Sequence, residues 1–153
     1  MSPVIETPNL LIRKYSADDF EAWYHISSDP KTMSFWPKPF TREQATLWIE
    51  DAINDYETFG LGRYVLLAKD SYTQIGDCGF KLVEVNKVEE YDLGCILHHT
   101  HWNQGYATEA TQACLEFAIE KLKISRIVMN METKHTASVK LAEKIGFKRE
   151  SEF

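Results

Sequence analysis

In this chain of 153 residues, the stretch with the clearest chemical potential is residues 98–110, HHTHWNQGYATEA. It follows an apolar, strand-like run over residues 91–97 and opens a long amphipathic run over residues 105–122. A strand, a glycine-containing turn and a helix start point several backbone N–H groups at one spot. Those amides have no partner within the helix, and the helix dipole adds positive potential there. Such a spot suits a phosphate or pyrophosphate. Gly105 allows close approach to the backbone, and the small Ala107 keeps the first turn uncrowded. The pattern alone has low specificity, because many strand-to-helix turns carry a glycine and bind nothing. His98, His99 and His101 raise the question of a metal. Zinc sites need three or four converging ligands with orienting partners, and adjacent histidines at a strand end are expected to point to opposite faces. No metal site is expected on that argument.

The elements that must position this turn can be read outward from it. Residues 9–15 (NLLIRKY) read as a first strand. Ser16, followed by Ala17, Asp18 and Asp19, has the form of a helix N-cap. That helix would send Phe20, Trp23, Tyr24 and Ile26 to the core and stop near Asp29-Pro30. An aromatic, proline-rich segment follows (residues 33–40, MSFWPKPF). Thr41 with Gln44 three residues later predicts a capping box, opening a helix to about Thr58 that Gly60 and Gly62 end. Strands are expected at Arg63–Ala68, at residues 75–85 and at residues 90–98, with the last two joined through Asn86-Lys87. Such short connections imply antiparallel neighbours. In the helix of residues 105–122, Glu109, Gln112, Glu116, Glu120 and Lys123 form the solvent stripe; Ala110, Cys114, Phe117 and Ala118 face the sheet. A strand at residues 126–131, a helix at about 136–145, a left-handed Gly146 cap and a strand beginning at Phe147 complete the order.

Composition narrows the classes. An apolar fraction of 44% suffices for one globular domain, taken as residues 1–153, and no apolar run approaches a membrane span. The first residues lack a basic start with an apolar stretch, so a cytoplasmic protein is expected. Three cysteines, an odd number without metal-type spacing, read as free thiols. A net charge of −6 argues against nucleic acid as partner and, as readily, serves solubility. The expected fold class is α+β (mixed α/β), an antiparallel meander continued by a strand–helix–strand crossover. A doubly wound dinucleotide fold would place the glycine turn after the first strand of a parallel unit, and here it follows several antiparallel strands.

Four segments taken together are far more specific than the turn: ETPNLLIRKYSADD, FWPKPFTREQATLWI, YDLGCILHHTHWNQGYATEA and HTASVKLAEKIGFKRE. Spanning nearly the whole chain in order, they resemble the GNAT superfamily of acetyl-CoA-dependent N-acetyltransferases, in particular its RimJ/RimL-type branch. The resemblance implies a splayed, mostly antiparallel sheet with helices on both faces. In it, residues 91–98 and 126–131 run parallel and diverge, and the pantetheine arm of acetyl-CoA lies in the gap. Backbone groups of Ile96, Leu97 and His98 would bond to that arm. Amides of Asn103, Gln104, Gly105, Tyr106, Ala107 and Thr108 would hold the pyrophosphate. Trp102 stands where the wider superfamily often has Arg or Gln, which fits the branch. His135 stands at a cofactor-contacting position where the branch usually has Asn. The family normally continues with a further strand beyond position 153; without it an edge would be left exposed or filled by another chain, so monomer or homodimer is expected.

The implied reaction is attack of a primary amine, on a protein N-terminus or a small molecule, on the thioester in a ternary complex. It needs a neutral amine, a stabilised oxyanion and a protonated leaving thiolate. The oxyanion donor would be a main-chain N–H on the strand of residues 91–98. Many superfamily members use a tyrosine as acid at the position of Ala142. Here Ser138, one turn earlier on the same face, takes the role of bonding the sulfur; its alternative is a local backbone contact. Asp92 is the base candidate, Asp77 a weaker one, and a water chain suffices for an amine of low pKa. Phe35 and Trp36 would line the acceptor side. Acetyl-CoA is the only cosubstrate expected, with no metal, nucleic acid or membrane partner. Two other readings stay open at this point: a non-catalytic acyl-CoA-binding or regulatory module, and a self-association domain using its open edge.

Overall fold

The computed structural model describes residues 3–130 and 136–148. A short edge strand β1 (Ile5–Glu6) leads into β2 (Leu10–Lys14), then one 3-10 turn (Ala17–Asp19) and helix α1 (Phe20–Ser27). Helix α2 (Arg42–Phe59) precedes β3 (Arg63–Ala68), β4 (Gln74–Val85) and β5 (Val88–Leu97). A 3-10 turn (His99–His101) connects β5 to α3 (Tyr106–Glu120), and α4 (Thr136–Lys144) comes last. The five strands form one sheet in sequence order, each antiparallel to the next.

Local chemistry sets the boundaries. Thr41 and Gln44 form the expected reciprocal cap of α2, and Gly60 ends that helix at φ 78°. The cap satisfies two otherwise orphaned amides and is worth about 1 kcal/mol. Before α1, Asp19 accepts from the Ser16 amide and pairs with Arg13 at 2.7 Å, so an ion pair holds the helix entry against β2. Asn86 and Lys87 both have positive φ, as a tight two-residue hairpin requires. Gly146 takes φ 104°, and Phe147 N–H bonds back to Ala142 O at 2.9 Å, capping α4.

Strand alternation makes two cores. Tyr64 and Leu66 face α3 with Cys78, Phe80 and Leu93, while Val65 and Ile96 face α1 and α2 with Trp23, Trp48 and Ile49. Helices therefore cover both faces. Between α2 and the sheet lies a buried ion pair: Asp77 accepts from Arg63 Nε at 2.6 Å, Tyr15 Oη at 2.6 Å and Trp48 Nε1 at 2.9 Å. Asp77 is fully buried and its carboxylate accepts from all three of these donors, which makes it a structural hub.

Three expectations change. Among the described residues, 126–130 form no strand but one parallel bridge, Asp92 to Val128. The bonds stop there because the Asn130 amide turns to the Asp92 carboxylate at 2.8 Å instead of to the backbone. Phe147 and Lys148 are not in a strand; Phe147 packs against the core after the α4 cap, Lys148 is exposed, and later residues lie outside those described. Glu109 is not a solvent-stripe residue: it accepts from the Asn9 amide at 2.9 Å, from Asn9 Nδ2 at 2.8 Å and from the Thr7 hydroxyl, tying the first turn of α3 to the loop before β2. Among the described residues no helix is long and apolar enough to cross a membrane.

Candidate active site

The direction of the β5 backbone decides what its free side presents. Val128 bonds to Tyr91 O and Leu93 N, so the odd-numbered residues turn their peptide groups away from β4. The even-numbered ones turn toward it: His98 N–H donates to Ile75 O, and the Ile96 carbonyl faces Gly76, where an added Cβ would sit 2.3 Å from it. Alternation along the ladder therefore leaves Cys95 and Leu97 facing the gap beyond Val128. Of the three strand residues expected at the cofactor arm, Ile96 and His98 thus direct their backbones at β4, and Leu97 directs its amide at the gap. Leu97 O is also taken, by Trp102 Nε1 at 2.9 Å. The tryptophan thus braces the turn that leads to α3.

A cleft of about 600 Å³ opens at this point. Its walls are Cys95, Ile96 and Leu97 on β5, the start of α3 (Gly105, Tyr106, Ala107, Thr108) with Asn103, and Ser138, Leu141 and two lysines, Lys140 and Lys144, on α4. Phe35 and Trp36 close it from the α1–α2 connection, 46% and 40% exposed. The structure thus brings together the turn, the strand and Ser138. Gln104 is not on the wall; its side chain donates to Thr100 O at 3.2 Å. Asp92 is not on it either. Its carboxyl is raised above the usual range, chiefly by burial, against the pull of the Asn130 amide. His135 lies outside the described residues.

The turn itself matches its sequence reading. Asn103 and Gly105 take φ 62° and 85°, which aim the chain into α3. The first intrahelical bond runs from Glu109 N to Gly105 O, so the amides of Tyr106, Ala107 and Thr108 lie in the turn that has no helical acceptor. Glu109, the one acid in the first turn, is held by Thr7 and Asn9. Lys140 and Lys144 were not foreseen as wall residues. Their spacing of four puts both on one helix face, but which face depends on how α4 packs.

The histidine expectation also changes. β5 ends at Leu97 and a 3-10 turn begins at His99, so pleat alternation no longer applies. The His98 and His99 rings lie 4.5 Å apart, and His99 Nδ1 is 2.8 Å from Asp29 Oδ2. The Thr32 hydroxyl, opposed by slight burial and aided by the Thr32 amide and His99, holds the Asp29 carboxyl at about 2. Burial and the neighbouring His99 push His98 down.

The sequence pattern of the acetyltransferase (GNAT) domain matches residues 9–148. The chain belongs to the GNAT acetyltransferase family. It is similar to the uncharacterized N-acetyltransferase YnaD of Bacillus subtilis (strain 168), 29% identical over 150 residues, covering 97% of this chain and 85% of that one. A GNAT-family acetyltransferase structure from Bacillus anthracis superposes with a TM-score of 0.82 at 27% identity, over 97% of this chain and 86% of that chain. A ribosomal-protein α-N-acetyltransferase, RimL, solved with coenzyme A, shares the fold at a TM-score of 0.80 and 18% identity, over 98% and 85% of the two chains. This GNAT protein is an acetyltransferase, and the fold class is the one its residues predicted. All three cysteines are free, and Cys95 stands on the cleft wall.

Proposed function

We propose that this GNAT protein transfers the acetyl group of acetyl-CoA to a primary amine, by direct attack in a ternary complex. The observation that carries the reading is that β5, the α3 start and Ser138 line one and the same cleft. The residues fit the cosubstrate: the Tyr106, Ala107 and Thr108 amides, which have no acceptor within the helix, suit a pyrophosphate together with Gly105 and Asn103. Lys140 and Lys144 add positive charge on the opposite wall. A neighbour of the same fold is described in complex with coenzyme A. Bound acetyl-CoA supplies the activated acyl carbon and the thiolate leaving group. The Cys95 and Leu97 amides, which face the gap, are the donors we assign to the pantetheine arm and the developing oxyanion. The Ile96 side chain remains a wall contact.

Ser138 is assigned to the leaving sulfur. Ser138→Ala is expected to lower kcat roughly ten- to a hundredfold, the range for losing a hydrogen bond to a charged atom, with KM for acetyl-CoA nearly unchanged. Steady-state release of CoA checks this, and an unaltered kcat removes the assignment. For the amine proton, Asp92 is the acceptor we carry forward. It lies three residues along β5 from Cys95 and off the cleft wall, so the proton passes through water. Its raised pKa suits that task better than an ordinary carboxylate. Asp92→Asn is expected to keep the Asn130 contact, slow the reaction and remove the acidic limb of its pH–rate profile. An unchanged profile reduces Asp92 to a brace for the segment through Val128.

The acceptor class we favour is a protein N-terminal or small-molecule amine, in keeping with the RimL-type likeness. Phe35 and Trp36 give an apolar, aromatic wall on the side away from α4. A screen of peptides, polyamines and aminoglycosides for CoA release decides among acceptors. Binding of acetyl-CoA without turnover on any of them would favour a binding module instead.

A further inference from the structure

We propose that Asp29, His98 and His99 form a zinc(II) site that fastens the α1–α2 connection to the end of β5. The three ligand atoms lie within 4.8 Å of one another. Asp29 Oδ2 is 2.8 Å from His99 Nδ1 and 4.0 Å from His98 Nε2. With zinc bonds of about 2.0–2.1 Å, tetrahedral ligand atoms sit roughly 3.4 Å apart. The observed separations bracket that value, so small side-chain rotations close the set around an ion.

The surroundings are those of oriented ligands. His98 Nδ1 lies 2.8 Å from Thr100 Oγ1, which leaves Nε2 as the nitrogen facing Asp29. The His98 ring is stacked on His25 at 5.1 Å and 16°. Asp29 Oδ2 is steadied by the Thr32 hydroxyl at 2.6 Å and the Thr32 amide at 2.9 Å. Partners of this kind fix ring and carboxylate direction in metal centres. Two imidazoles and one carboxylate suit zinc better than magnesium or calcium, which take all-oxygen sets. The side chains are 13%, 28% and 22% exposed for His98, His99 and Asp29, which leaves a fourth position for water.

The consequence is mechanical. Thr32, Phe35 and Trp36 line the cleft from the connection that begins beside Asp29, and Leu97 lines it from the strand that ends at His98. An ion bridging the two sets the distance between those walls. On binding through Nδ1, a neutral His99 carries its ring proton on Nε2, and the Asp29–His99 hydrogen bond gives way to two bonds to the ion.

The test uses the full chain, free of histidine tags and stripped with a chelator. Titration with cobalt(II) is expected to give one saturating equivalent with the visible absorption of tetrahedral cobalt, displaced by zinc(II), and zinc is expected to raise Tm. His99→Gln, which keeps a donor for Asp29, and Asp29→Asn are expected to abolish the cobalt spectrum, while His101→Gln retains it. His98→Ala leaves the Asp29–His99 bond intact and gives the same readout should the other variants fail to fold. Absence of saturable binding in the unaltered protein overturns the proposal. So does a cobalt spectrum that survives in any folded variant of the trio.

Discussion

Gly105→Val is expected to weaken acetyl-CoA binding at least roughly a hundredfold, about 2.8 kcal/mol. The argument has two parts that a pair of variants separates. At φ 85° a side chain is strained by about 1–2 kcal/mol, a cost carried by any non-glycine residue. An added Cβ would meet no protein atom within 4 Å, so nothing in the fold resists it sterically. Its neighbourhood is the cleft, and the branched valine fills the approach to the Tyr106, Ala107 and Thr108 amides. Gly105→Ala therefore reports strain with little bulk, and its affinity should fall between glycine and valine. Calorimetry with acetyl-CoA measures both. Full affinity in a folded Gly105→Val variant would place the pyrophosphate elsewhere.

Asp77→Ala is expected to destabilise the fold by about 3–5 kcal/mol, the cost of leaving one member of a buried ion pair alone. Its removal leaves the Arg63 guanidinium, the Tyr15 hydroxyl and the Trp48 indole N–H without their shared acceptor. Arg63 has little freedom to turn elsewhere, since Gly94 gives it room that even a Cβ would take, at 2.3 Å from Nη1. Urea denaturation followed by tryptophan fluorescence checks the value, and a loss under about 1 kcal/mol would contradict the hub. Asp77 also pairs with Ile96 across β4 and β5, so the hub underlies the strand that forms one cleft wall.

What the residues disclosed in advance was local. Thr41 with Gln44, the Asn86-Lys87 hairpin and the Gly146 cap each state a backbone conformation within a few positions, and each is found. The glycine turn before α3 is of the same kind. Register is different. The sequence run through residues 95–98 does not say whether odd or even peptide groups face β4, because that depends on how far the hairpin slides. Hence the resemblance implies Ile96, Leu97 and His98 together, whereas the peptide alternation turns only Leu97 of these three, with Cys95, toward the gap. Position in space is also hidden when partners are remote: Asp29 meets His99 from 70 residues away, and Lys140 and Lys144 reach the cleft only through the packing of α4. The His98 and His99 rings lie together because β5 ends at Leu97, so strand alternation does not extend to them.

The link from Glu109 to Thr7 and Asn9 carries a consequence for how such sequences diverge. Two side chains and one amide near the start of the chain spend their donors on a single carboxylate about a hundred positions later. A lone change at 109 removes the acceptor that those donors share, and a lone change at 7 or 9 loosens the acid beside the amides that open α3. Positions 7, 9 and 109 are thus bound to drift together, and across relatives they should carry a statistical signature of co-variation that composition alone never reveals.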